Sequence, residues 1–81
     1  MTRDDVMEKV NEIARDIFDD EELVLEDETV ASDVDGWDSL THLSFLNEIE
    51  DEFGFKFAMK EVQGLQNVGE LIDVIAERVS D

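Results

Sequence analysis

Three runs of apolar residues, each repeating at helical spacing, constrain this chain more than any other feature. The first is Val6, Met7, Val10, Ile13, Ala14 and Ile17; the second is Leu43, Phe45, Leu46, Ile49 and Phe53. The third is Val68, Leu71, Ile72, Ile75, Ala76 and Val79. Residues at i, i+3, i+4 and i+7 share one side of a helix, so each run predicts an amphipathic helix with an apolar stripe to bury. The predicted spans are 3–18, 39–53 and 67–79. Thr2 and Asp5 supply a near capping box for the first, with Asp in place of Glu or Gln. Phe18 carries its stripe into the following turn. Gly54 is the C-cap of the second helix, and Asn67 with Glu70 caps the third, whose late Arg78 suits the dipole. Phe55, Lys56 and Phe57 alternate as a short extended connection, and a short further helix is predicted over 60–63, before Gly64. The expected fold is all-α: a small antiparallel four-helix bundle with a long first loop, one domain spanning 1–81. At 81 residues it has room for one modest core.

Between Asp19 and Asp38 the helical period fails. Two acidic clusters, Asp19-Asp20-Glu21-Glu22 and Glu26-Asp27-Glu28, alternate with Leu23-Val24-Leu25 and Val30. A connection this long inside a compact domain is functional or packed on itself. Leu23, Leu25 and Val30 are expected to pin it to the core, with room for one short helical turn. The acids are part of a wider imbalance: 24 acids against 6 bases give a formal net charge of −18, and no base falls between Arg15 and Lys56. Such a surface repels nucleic acid and anionic lipid, and it either steers encounters with basic protein patches or simply solvates the fold. The 42% of hydrophobic residues, strongly periodic, argues against disorder. Absence of cysteine removes disulfides and thiolate metal sites, and the single His42 removes a histidine-rich one. Asp33, Asp35 and Gly36 match three positions of an EF-hand loop, but Ala31 and His42 stand where its first and last ligands are required, so no metal site is expected. No apolar run approaches the roughly 18 residues that cross a membrane, and no signal-peptide pattern opens the chain. A cytoplasmic location is expected.

The loop meets the second helix at Asp35-Gly36-Trp37-Asp38-Ser39-Leu40. Gly36 permits a tight turn, and Asp38 and Ser39 both accept hydrogen bonds from first-turn N–H groups. One serine hydroxyl is thereby left at a helix N-terminus, where a phosphate ester would be favoured by roughly 0.3–1 kcal/mol. Asp38-Ser39-Leu40 at a helix start, followed by Leu43, Phe45, Leu46, Ile49 and Glu50-Asp51-Glu52-Phe53, resembles the acyl carrier protein family, and the resemblance runs from about Val6 to Val79. It implies that Ser39 carries a covalent 4′-phosphopantetheine arm holding acyl intermediates as thioesters. It implies a phosphopantetheinyl transferase that moves the arm from coenzyme A, with Asp38 assisting at that enzyme's magnesium. It also implies acyl-transferring or acyl-processing enzymes with basic docking patches, serving fatty acid, polyketide or other lipid-related biosynthesis. The second helix becomes a recognition helix in which Asp38, Glu50 and Asp51 correspond to contact acids. Thr41 and Ser44 stand where many fatty-acid carriers have acids, which points to a dedicated partner set. The short helix becomes a mobile gate over an acyl cavity, with Met59, Val62 and Leu65 as its apolar residues. Such a protein is a carrier without catalysis of its own, and a monomer.

Other residues near the serine have their own readings. Leu40 falls away from the apolar stripe and is a partner contact or an edge-of-core leucine. Trp37 covers the end of the bundle or contacts a partner. His42 lies in phase with the stripe one turn from the serine, so it lines the entrance for an acyl chain or makes a structural hydrogen bond. Catalysis by His42 lacks a nucleophile or carboxylate in reach. Phe45, Leu46, Ile49, Phe57 and Val62 are the interior residues placed to shelter an acyl chain, at about 0.8 kcal/mol per buried CH₂, with Met59 as an adaptable wall. Two other classes stay open. An aminoacyl or peptidyl carrier would use the same serine, with Gly-His or Gly-Asp usual where Trp37-Asp38 stands. A non-carrier acidic interaction module would need no serine at all.

Overall fold

The computed structural model describes residues 2–79. It contains helices α1 (Arg3–Ile17), α2 (Ser39–Phe53), α3 (Met59–Gln63) and α4 (Val68–Val79), with no strand among the described residues. Both halves of the capping box form at the start of α1. Thr2 Oγ1 accepts from the Asp5 N–H at 3.1 Å, and the Asp5 carboxylate accepts from the Thr2 N–H at 3.2 Å. Helix ends differ from expectation by one residue at three places. α1 stops at Ile17 because Phe18 leaves the helix, its ring turning toward Trp37 and Phe45. α3 starts at Met59 because the Glu61 carboxylate accepts from the Ala58 N–H at 2.8 Å. In α4 Asn67 is the cap, its Oδ1 accepting from the Glu70 N–H at 2.9 Å. Gly54 ends α2 in the left-handed region, φ 74°.

α1 packs against both α2 and α4. Val6, Val10 and Ala14 meet Phe45, Leu46 and Ile49 of α2 and Val68, Leu71, Ile72 and Ile75 of α4 in one core, joined by Leu25 and Val34 of the loop. Leu43, expected on the buried stripe, is instead 60% exposed. It precedes Phe45 by two residues, about 200° around the helix, and the sector facing α1 does not extend that far.

The first loop is fastened by polar groups as much as by apolar ones. Asn11, buried in α1, brackets Leu25: its Oδ1 accepts from the Leu25 N–H at 2.6 Å, and its Nδ2 donates to the Leu25 carbonyl at 3.4 Å and to Met7 at 3.0 Å. Arg15 Nε donates to the Leu23 carbonyl at 2.8 Å. The chain then makes a 3₁₀ turn over Ala31–Asp33, closed by the Asp33 carboxylate accepting from the Val30 N–H at 3.1 Å. Leu25 is buried as expected, Leu23 and Val30 are half-buried, and Val34 is the second residue driven fully into the core. The loop also supplies acceptors to the start of α4, where Val68 N–H donates to Thr29 at 2.8 Å and Gly69 N–H to Asp27 at 2.9 Å. Arg3 crosses the same corner, pairing with Asp27 at 3.0 Å and Asp73 at 2.8 Å.

Candidate functional site

The junction between loop and α2 is built around Trp37. Its ring contacts Phe18 at a centroid distance of 5.2 Å and Phe45 edge-on at 5.5 Å, closing the end of the bundle. Its Nε1–H donates to His42 Nδ1 at 3.1 Å, and the two rings stack at 6.1 Å. His42 therefore has the structural hydrogen bond that was one of its two readings, with the indole as donor.

Asp38 is the N-cap of α2. One carboxylate oxygen accepts from the N–H groups of Leu40 and Thr41, each at 3.0 Å, while Thr41 Oγ1 accepts from the Asp38 N–H at 2.8 Å and donates to the Gly36 carbonyl at 2.7 Å. Thr41 is thus the second half of a capping box. The Thr41 N–H above all, with the Thr41 hydroxyl and the Leu40 N–H, holds the Asp38 carboxyl below the usual carboxylate range. Ser39 follows as the first residue of α2, exposed, and its hydroxyl makes no hydrogen bond among the described residues.

Two hollows adjoin this corner. The outer is an open groove of about 500 Å³ lined by Ala31, Trp37, Asp38, Ser39, His42 and Leu43. The inner is a recess of about 100 Å³, sharing Ala31, Trp37 and His42 and walled by Thr29 and Val30 on the loop side and by Leu65, Val68 and Leu71 on the other. Of the residues expected to shelter an acyl chain, His42 alone lines this recess. Phe45, Leu46 and Ile49 are buried core, and Phe57 and Val62 are half-buried against it. Met59 is corrected outright: as the first residue of five-residue α3 it is 73% exposed, and Val62 is the residue of that helix packed against the core. Leu65, expected among the apolar residues of the gate, is also a wall of this recess, whereas the part played by Thr29 and Ala31 of the loop escaped sequence reading, since no periodicity marks that segment.

The residues expected to meet partners divide in two. Leu40 is 78% exposed, the most exposed large apolar residue described, and Asp51 is exposed. Glu50, by contrast, accepts from the Phe57 N–H at 2.7 Å and so fastens the connection after α2, and Trp37 is committed to its ring contacts. No helix among the described residues is long and apolar enough to cross a membrane.

A free, exposed hydroxyl beside a groove with apolar walls fits the attachment of a long, flexible phosphate ester. The family described as phosphopantetheine attachment site matches residues 8–75. An acyl carrier protein of Lactobacillus acidophilus is 26% identical over 76 residues, which cover 93% of this chain and 94% of that protein. The solution NMR structure of a holo acyl carrier protein from Geobacter metallireducens superposes with a TM-score of 0.86 at 39% identity, over 91% of this chain and 85% of that one.

Proposed function

Since this chain belongs to the acyl carrier proteins, whose prosthetic group is phosphopantetheine, we propose that Ser39 Oγ is the attachment point and that the chain acts as a carrier with no catalysis of its own. The observation that carries this reading is the Ser39 hydroxyl itself: exposed, unpartnered among the described residues, and at the lip of the outer groove. In the loading step Ser39 Oγ forms the new bond to the phosphorus nearest the pantetheine of coenzyme A, the oxygen of adenosine bisphosphate leaves, and the hydroxyl proton passes to a base of the transferase. Asp38, already ionised by its cap contacts, is placed one residue away to meet that enzyme's magnesium. The arm supplies a thiol, which this cysteine-free chain lacks, and through it the chemistry of thioesters. Leu40 and Leu43 form an exposed apolar pair next to the serine, and with Asp51 they make the surface offered to acyl-processing enzymes that carry basic patches.

Intact mass after incubation with coenzyme A and a promiscuous phosphopantetheinyl transferase tests the assignment. The wild type gains one phosphopantetheinyl group and Ser39→Ala, equally folded, gains none. An unchanged wild-type mass would leave the acidic interaction module as the surviving class. The acid released by thioester cleavage from protein isolated in its host separates acyl from aminoacyl cargo and names the pathway.

A further inference from the structure

An ester on Ser39 brings a phosphate anion to the lip of the outer groove, where few donors are free to receive it. The N–H groups of Leu40 and Thr41 in the first turn of α2 already donate to the Asp38 carboxylate at 3.0 Å, and that carboxylate is itself an anion. No Lys or Arg lines the groove, whose residues are Ala31, Trp37, Asp38, Ser39, His42 and Leu43. Three of these carry a side-chain donor. The Ser39 hydroxyl is consumed by the ester, and the Trp37 indole N–H is engaged by His42 Nδ1 at 3.1 Å. The far edge of the His42 ring is left.

That edge is a donor because of the indole. A neutral imidazole has one N–H and one bare nitrogen. Since Nδ1 accepts from Trp37, the proton of the neutral ring stands on Nε2. Phe18 at 5.2 Å and Phe45 at 5.5 Å hold the indole in place, and the imidazole stacks on it at 6.1 Å. His42 makes no second side-chain hydrogen bond among the described residues. It follows Ser39 by three positions, so the two are neighbours on one helix face, and the tilt of side chains toward a helix N-terminus leans the ring over the turn that carries the serine.

We propose that His42 Nε2–H donates to the phosphate of the arm on Ser39, and that Trp37 is the positioning residue that keeps the proton on that nitrogen. This deepens the carrier reading and rests on it. The contact fastens the root of the arm to α2 beside the groove and leaves its thiol end free to swing. It also gives the phosphate a donor on a helix face that has no cation, next to the Asp38 carboxylate that repels it.

The test compares the full chain by NMR before and after loading from coenzyme A by a promiscuous transferase, at pH ~8, above the ordinary histidine range. Intact mass verifies loading, and a missing mass gain would overturn attachment at Ser39 and this inference with it. The ring-nitrogen shifts of His42, read through its carbon-bound protons, should show Nδ1 bare and Nε2 protonated in the unloaded protein. Loading should move the Nε2 signal and leave Nδ1 in place. The phosphorus resonance of the arm should shift in loaded His42→Phe, which keeps a ring against Trp37. It should return toward the wild-type position in His42→Gln, whose amide offers an N–H in place of Nε2–H. Trp37→Phe, which keeps a ring and removes the indole donor, should put part of the proton on Nδ1. With loading verified, an Nε2 signal that does not move overturns the phosphate contact and leaves attachment at Ser39 standing, as does a phosphorus resonance equal in wild type and folded His42→Phe. Should the variants fail to fold, the wild-type nitrogen shifts decide alone. An unloaded protein with Nδ1 protonated, or a proton unmoved by Trp37→Phe, removes Trp37 from its role.

Discussion

The Asp38 carboxylate closes the first turn of α2 with two N–H bonds, and those bonds exist in full only for the charged form. Because its pKa in the folded chain lies below the ordinary value, the stabilisation it gives is present above the ordinary carboxylate range near pH ~4 and disappears as pH falls through the lower, folded value. Asparagine caps a helix equally well and does not titrate there. Acidification from pH 7 toward pH ~3 should therefore destabilise the wild type more than Asp38→Asn, with the relief of acidic repulsion common to both. Denaturant midpoints of the two proteins at each pH check this, and parallel curves would mean that the cap does not depend on charge. Asn11 is a second residue whose role comes from pairing. Its amide offers one donor and one acceptor to the Leu25 backbone much as a neighbouring strand would, so a loop with no secondary structure buries a leucine without orphaning its peptide groups. Nothing in the sequence distinguishes Asn11 from a solvent-facing polar residue of α1, because the partner it serves has no local signature.

At the scale of elements, α4 is docked by its first turn. The Val68 and Gly69 N–H groups, which have no partner within their own helix, donate to Thr29 and Asp27 of the loop. Close approach is what requires glycine at 69: an added Cβ would lie 3.0 Å from the Asp27 carbonyl oxygen and 3.1 Å from its Cβ. Helix propensity favours Ala over Gly by up to about 1 kcal/mol, while crowding of this kind costs about 1–3 kcal/mol. Gly69→Ala is thus expected to lower stability by roughly 1 kcal/mol and to speed hydrogen exchange at the Val68 and Gly69 amides; Gly64→Ala, with open space around it, should do neither. A stabilised Gly69→Ala would show that the loop yields freely and does not hold α4. The same corner explains what could be read from the sequence. The three long helices were legible because burial leaves a period in the sequence, and Thr2, Asp38, Gly54 and Asn67 announced their ends. Leu43 and Met59 were misplaced because residue type records hydrophobicity, whereas burial depends on how wide a sector the neighbours cover. The pairing of loop with α4 was invisible, since the two recognise each other through carbonyls and N–H groups that every residue possesses. The place of Ser39 at a helix start was legible for a different reason: its neighbours Asp38 and Leu40 form a local motif, which survives in one dimension.

Across the whole molecule, the few bases are spent mostly inside the fold. Arg3 joins Asp27 and Asp73, Lys9 joins Glu52, Arg15 holds the Leu23 carbonyl, and Arg78 joins Glu61 while lying over the Phe55 ring. Of Lys56 and Lys60, the two bases not in an ion pair or hydrogen bond among the described residues, the first follows the end of α2 and the second lies in α3. The outer face of α2, with Ser39 at one end and Asp51 toward the other, consequently carries acid and apolar groups without a cation of its own. Two consequences of opposite sign follow for salt. A net charge of −18 on so small a chain opposes compactness, and exposed ion pairs contribute little to offset it, so the thermal midpoint should rise as salt shortens the Debye length from ~30 Å at 0.01 M to ~10 Å at 0.1 M. The same screening weakens long-range attraction to a basic docking patch, so the association rate with a phosphopantetheinyl transferase should fall steeply over that range while dissociation changes much less. Stopped-flow binding and thermal melts in matched buffers read both quantities on one preparation. A midpoint that falls with salt would make the ion pairs, rather than self-repulsion, the dominant electrostatic effect, and a salt-independent association rate would assign docking to Leu40 and Leu43 alone.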